Sequence, residues 1–151
     1  MMEYLDETDR KIVKILIENG RTSYSDMAKT VGMKSPSVIE RIKKLEAEGV
    51  IKGYSADIDY QKIGYDIVAL IGLVIDKADN EESFKLKAMN FDDSIVECYD
   101  ISGNYTMMLK VITKNTNTLA KLLKKLKKEP GFQETNTTIV FSTLFEKKRS
   151  V

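Results

Sequence analysis

The residues of this 151-residue chain best able to do chemistry are basic, and they cluster. Between positions 29 and 44, Lys29, Lys34, Arg41, Lys43 and Lys44 stand against one acid, Glu40, a local net charge of +4, whereas residues 1–59 as a whole hold 10 basic and 11 acidic side chains. Positive charge gathered on one short segment is the footprint of contact with a polyanion. The full chain carries 24 Lys+Arg and 23 Asp+Glu, so such a contact must come from local clustering and not from bulk charge. Proton-transfer and metal chemistry are poorly supplied. There is no histidine and one cysteine, Cys98, which removes the commonest general base, the commonest metal ligand, a disulfide framework and any Cys–His nucleophile pair. The expectation is a binding protein, not an enzyme, with no cofactor and no metal. Cys98 lies in the apolar run IVECYDI and is expected to be an inert buried thiol.

Helices must position the basic cluster. Leu5, Ile12, Ile15 and Leu16 follow helical spacing, and Asp6 with Asp9 three residues on resembles an N-cap and its return partner, so a first helix is predicted from Asp6 to Glu18. Ser23 with Asp26 opens a second helix that faces Met27, Ala28 and Val31 inward and ends at Gly32. Ser35-Pro36 reads as N-cap and N1 proline of a third, running through Glu48 and stopping at Gly49. Three helices with a tight second turn form a helix-turn-helix.

On the third helix Val38, Ile42 and Leu45 make the core face, which leaves Ser37, Glu40, Arg41 and Lys44 on the polar face. Laid in a major groove, that face could reach base edges or phosphates. Lys34, with Ser35 and Pro36 at the opening of the helix, sits where unpaired backbone N–H groups attract phosphate, and Ser23 and Tyr24 could brace the DNA backbone. An ordinary solvated face, with Glu40 paired to Lys44, fits the same residues.

Beyond Gly49 the period shifts toward two. Val50, Ile51, Tyr54, Ala56 and Ile58 predict a short β wing, and the polar segment 60–66 a linker. The second module reads as strand 67–76, helix 80–90, strand 95–101, strand 105–113, helix 116–128 and strand 133–145, with Ser102-Gly103-Asn104 as the hairpin between the middle strands. The fold class is therefore α+β: an N-terminal winged helix-turn-helix (1–59) and a C-terminal ferredoxin-like βαββαβ domain (67–151). Ile67 to Ile75 is continuously apolar, so both faces of the sheet must be covered, and a second copy of the same sheet is the simplest cover: a homodimer is expected. That run is about half the roughly 20 residues of a membrane-spanning helix, and MMEYLDETDR lacks signal-peptide order, so a cytoplasmic location and no membrane partner are expected. On the helix at 116–128, Leu119, Leu122, Leu123 and Leu126 face in and five lysines face out, as a solvated face or a secondary DNA surface. EKKRSV reads as a frayed tail.

The strings D-x-x-D-x-x-I, R-x-S-Y and S-P-S-V-x-x-R-I-K-K-L-E-x-x-G-V-I-x-G-Y, followed by ECYDISGNYTMMLKV and TNTTIVFSTL, resemble the Lrp/AsnC (feast/famine) transcription regulators over nearly the whole chain. The resemblance implies DNA binding by the third helix, a C-terminal RAM-type module that dimerises through its sheets, and assembly into larger rings such as octamers. It also implies an amino-acid effector site, which by position is lined by Ser102, Gly103, Asn104, Tyr105 and Thr106 with Thr135, Asn136, Thr137 and Thr138. Many members carry an acid where this chain has Thr106, and a carboxylate there would suit an α-ammonium group. Gly103 and Asn104 equally serve the hairpin backbone, and the threonines equally serve the strand. The alternatives are an architectural, chromatin-like DNA-binding protein of low sequence specificity, and a tetrapyrrole decarboxylase like some two-module relatives of the family, which the absence of histidine opposes.

Overall fold

The computed structural model describes residues 5–75 and 87–151. The chain divides into two compact units, Met1–Asp57 together with Phe145–Val151, and Ile58–Leu144.

The first unit holds α1 (Glu7–Glu18), α2 (Tyr24–Val31) and α3 (Ser35–Ala47). Asp6 and Asp9 form a reciprocal capping box on α1: the Asp9 amide donates to Asp6 Oδ1 at 2.8 Å and the Asp6 amide to Asp9 Oδ2 at 3.2 Å. Ser23 caps α2 by accepting from the Asp26 amide at 3.1 Å. The N-cap of α3 is Lys34, one residue before the expected Ser35, because the Lys34 carbonyl already accepts from the amides of Ser37 at 3.0 Å and Val38 at 3.3 Å. Pro36 remains in the first turn, where its missing N–H costs nothing. At the far end the amides of Gly49 and Val50 turn back to the carbonyls of Glu46 and Leu45, a Schellman closure that Gly49 permits with φ +72°. Ile12, Met27, Ala28, Val38, Ile42 and Leu45 form the core, as their spacing requires. Each large apolar side chain so buried contributes about 1.5–3 kcal/mol.

The expected β wing is not a strand. There is no strand between α3 and Ile67, since an extended segment becomes a strand only with a ladder partner and none of the described residues forms a ladder with it. Residues 61–63 of the expected linker form a short 3-10 turn, Gln61–Ile63.

The second unit is a four-stranded sheet in the order β2-β3-β1-β4, with every pairing antiparallel, built from β1 (Ile67–Ile75), β2 (Ile95–Asp100), β3 (Met107–Thr113) and β4 (Phe132–Val140). Residues 87–91 are helical before β2, and the rest of the helix expected over 80–90 lies outside the described residues. Helix α4 (Thr116–Lys128) starts at an Asn115–Thr118 capping box and buries Leu119, Leu122 and Leu126 against Ala69, Ile71 and Leu73 of β1 and Met107, Leu109 and Val111 of β3. The alternate residues Val68, Leu70, Gly72, Val74, Met108 and Ile112 point to the opposite face, which no helix covers among the described residues. β4 ends at Val140, five residues short of the expected 145, because Val140 pairs with Val68 and β1 begins one residue earlier. The chain past β4 has no regular structure and is exposed throughout, as expected of a tail. Its last seven residues group with the first unit, where Glu146, Lys147 and Lys148 line a groove with the end of α1 and residues 53–57. Cys98 is exposed, not buried, because β2 is an edge strand; nearby burial still pushes its thiol above the ordinary range.

Candidate nucleic-acid interface and effector site

With Val38, Ile42 and Leu45 buried, helical geometry turns Pro36, Glu40, Lys43 and Lys44 outward, and all four are exposed. Lys34 is exposed beside them; Ser35 and Ser37 are half-buried on the flanks. Lys43, outside the expected contact set, is exposed on the same side, as its place across the helix from Val38 and Leu45 requires. Lys44 Nζ stands 3.9 Å from Glu48 Oε1, one turn along the helix. Tyr24 is exposed, while the Ser23 hydroxyl is committed to the α2 cap, donating to Asp26 Oδ2 at 2.7 Å.

Arg41 does not join the outward ridge. Its Nη1 donates to Asp6 Oδ2 at 2.6 Å and to Asp9 Oδ1 at 2.8 Å, tying the middle of α3 to the capping box of α1. The two carboxylates raise the guanidinium above its ordinary value, and Asp6 is held below the usual carboxylate range by the Asp9 amide and then by Arg41. The D-x-x-D string announced the cap, but nothing in the sequence linked it to a residue more than thirty positions on. The two helices frame an open groove lined by Asp6, Asp9, Ser37, Glu40, Arg41 and Lys44.

In the second unit the nine expected effector residues fall into separate groups. Ser102, Gly103 and Asn104 are exposed on the β2–β3 connection, which the Ile101 amide closes by donating to the Thr106 carbonyl at 3.0 Å. Thr106 is spent on the backbone of β1: its amide donates to the Leu73 carbonyl at 2.9 Å, its hydroxyl donates to the same carbonyl at 3.1 Å, and it accepts from the Ile75 amide at 3.0 Å. This anchors β1 where its register with β4 shifts. The ring of Tyr105 lies on Gly72 so closely that a Cβ there would stand 2.8 Å from it. Asn136 pairs with Gly72 and Thr138 with Leu70, so both share the face bearing the ring; Thr135 and Thr137 pair with Leu73 and Ile71 and belong to the helix-covered face. The fold thus brings Tyr105 and Asn136 to one face and sets Thr135 and Thr137 on the other. Among the described residues no cluster of His, Cys, Asp or Glu could hold a metal, and no helix is long and apolar enough to cross a membrane.

Comparison with known proteins agrees with both units. Residues 5–46 match the AsnC-type helix-turn-helix domain and residues 69–150 the Lrp/AsnC ligand binding domain. The regulatory protein AsnC of Haemophilus influenzae is 37% identical over 121 residues, spanning 80% of this chain and 78% of that protein. The HTH-type transcriptional regulator FL11 of Pyrococcus horikoshii is 37% identical over 139 residues, 92% of this chain and 91% of that one. The solved structure of Escherichia coli AsnC matches with a TM-score of 0.86 at 27% identity, covering 99% of this chain and 100% of that chain. The feast or famine regulatory protein of M. tuberculosis, complexed with L-methionine, matches with a TM-score of 0.87 at 25% identity, covering 96% and 97%. The chain belongs to the Lrp/AsnC family of helix-turn-helix transcriptional regulators.

Proposed function

We propose that this regulator acts as an oligomer whose α3 helices enter successive major grooves of a two-fold related DNA site, about one helical turn or roughly 34 Å apart. The observation that carries the reading is α3 itself, with Val38, Ile42 and Leu45 sealed in the core and Pro36, Glu40, Lys43 and Lys44 exposed on the opposite side. Lys34 and Lys44, with Lys43, supply phosphate or base-edge contacts; Glu40 reads an adjacent donor; Ser35 and Ser37 border the ridge; Ser23 and Tyr24 brace the backbone through the start of α2. Arg41 serves by holding α3 against α1. The apolar face of the sheet, with Val68, Leu70, Val74, Met108 and Ile112, is covered by the sheet of a second copy, and dimers join into a larger ring. The working compartment is the cytoplasm, where the DNA is.

The effector is an amino acid or a related small metabolite, the class to which the L-methionine of the M. tuberculosis relative belongs. Ser102, Gly103, Asn104, Tyr105, Asn136 and Thr138 are the residues best placed to meet it. Thr106 offers no carboxylate and its hydroxyl is engaged, so an ammonium group finds no charged partner at that position, and free amino acids bind weakly.

The test is fluorescence anisotropy at fixed salt against the DNA upstream of the protein's own gene and a scrambled duplex, with and without amino acids. Selective binding upstream supports a specific regulator, and a shift with amino acids supports the effector site. Equal binding to both duplexes favours the architectural reading, and no binding to either overturns the DNA-binding role.

A further inference from the structure

The outer face of α4 is the most one-sided charge in the protein. The helix carries Lys121, Lys124, Lys125, Lys127 and Lys128 and no acid, whereas the rest of its unit has six basic residues against twelve acidic ones. Lys125 is accounted for: its Nζ donates to the Phe91 carbonyl at 2.6 Å, lies 3.2 Å from Asp92 Oδ2 and sits 4.8 Å above the Phe91 ring. The other four are exposed and make no ion pair among the described residues. Their spacing opposes folding, since Lys121 neighbours Lys124 and Lys125, and Lys124 neighbours Lys127 and Lys128, one turn away with like charge. The helix dipole favours cations in the last turn, which covers Lys127 and Lys128 but not Lys121 and Lys124 further in.

We propose that this face is a second DNA-binding surface, one that takes the sugar-phosphate backbone of duplex DNA without regard to sequence. A polyanion is the partner that turns the self-repulsion of the lysines into attraction, because each neutralised phosphate releases a counterion. Duplex backbone is favoured over single strands because the exposed face has no aromatic side chain on which a base could stack. Lysine also suits the task, being a mobile point charge without the fixed fork that arginine uses to read one geometry. Linkage in one chain to the helix-turn-helix holds DNA at high effective concentration near the face, and every copy in an oligomer repeats it. The inference rests on the helix-turn-helix unit binding DNA.

The experiment uses the full chain and a long random-sequence duplex, with affinity measured by anisotropy across a salt series. Replacing the four lysines together (Lys121→Gln, Lys124→Gln, Lys127→Gln, Lys128→Gln) is expected to weaken binding at low salt by about tenfold or more and to lower the slope of log affinity against log salt by up to ~3.6, at about 0.9 per lost phosphate contact. The matching Lys→Arg variant keeps both at the wild-type level. Should the fourfold Gln variant fail to fold, the pair Lys121→Gln and Lys124→Gln is expected to show about half the slope change. A native-like Gln variant with the wild-type slope overturns the proposal, and if sedimentation shows that it has also changed oligomer size, the face meets the acidic surface of another copy instead. A wild-type protein that binds no duplex overturns this proposal and the DNA-binding reading together.

Discussion

Arg41 Nη1 donates to Asp9 Oδ1 at 2.8 Å across 32 residues of sequence, and the same nitrogen reaches Asp6. Asp6 and Asp9 are also the two halves of the cap on α1, so one guanidinium joins the start of the first helix to the middle of the third. The angle at which α3 leaves the core is therefore set by apolar packing and by a charged clamp beside the exposed ridge.

Arg41→Ala is expected to lower stability by about 1 kcal/mol, the range for a partly exposed ion-pair network, and to reduce DNA affinity without a large change in its salt slope. Thermal melts together with a salt series check this. A slope reduced by about 0.9 with unchanged melting would instead assign Arg41 a phosphate contact.

Acid should open the clamp. Asp6 titrates below its usual range in the folded chain, so the stability it supplies is complete above the unfolded value of about 3.9 and is lost as pH falls through the lower folded value. The melting difference between the wild type and Asp6→Asn is expected to be present at neutral pH and to shrink toward zero in strong acid. A difference independent of pH would remove the charge from the account.

Gly72→Ala is expected to destabilise the sheet unit by about 1–3 kcal/mol, because the added methyl group meets the Tyr105 ring at 2.8 Å. Combining it with Tyr105→Ala should cost less than the sum of the two single changes, since the small residue makes room for the methyl. Additive losses in a denaturant double-mutant cycle would contradict the contact.

Lys43→Gln and Lys44→Gln should each lower the salt slope of DNA binding by about 0.9, with little change in melting temperature, as for side chains that contact phosphates. Loss of discrimination between operator and scrambled duplex, at an unchanged slope, would mark either one as a base reader.

Tyr54 is expected to titrate late. Desolvation of its hydroxyl, then its hydrogen bond to Glu46 at 2.9 Å, pushes it up to about 12. Its stabilising effect is complete below the unfolded value of about 10 and fades as pH rises toward the folded one. Tyrosinate absorbance should show one residue titrating above the rest in the wild type and none so displaced in Tyr54→Phe.

The helices and most strand limits were legible because their causes are local. Asp6 and Ser23 cap within three residues, Gly49 ends α3 through its own backbone freedom, and Thr116–Lys128 matches its leucine spacing end to end. The α3 core face followed from helical period alone. What escaped the sequence depends on residues far apart in it. The wing over 50–58 had strand-forming side chains but no ladder partner, and β4 stopped at Val140 because β1 had no more backbone to offer. Cys98 sits in an apolar string, yet sheet order places it on an edge strand. Arg41 has the type and spacing of a groove-reading residue, and only the packing of α1 beside α3 turned it toward Asp6 and Asp9. Thr135 to Thr138 are neighbours in sequence, but a strand sends alternate side chains to opposite faces, and pairing with β1 decided which two share a face with Tyr105. Periodicity and caps act over a few residues and are written in the chain; pairing partners and charge partners are chosen only when distant segments meet.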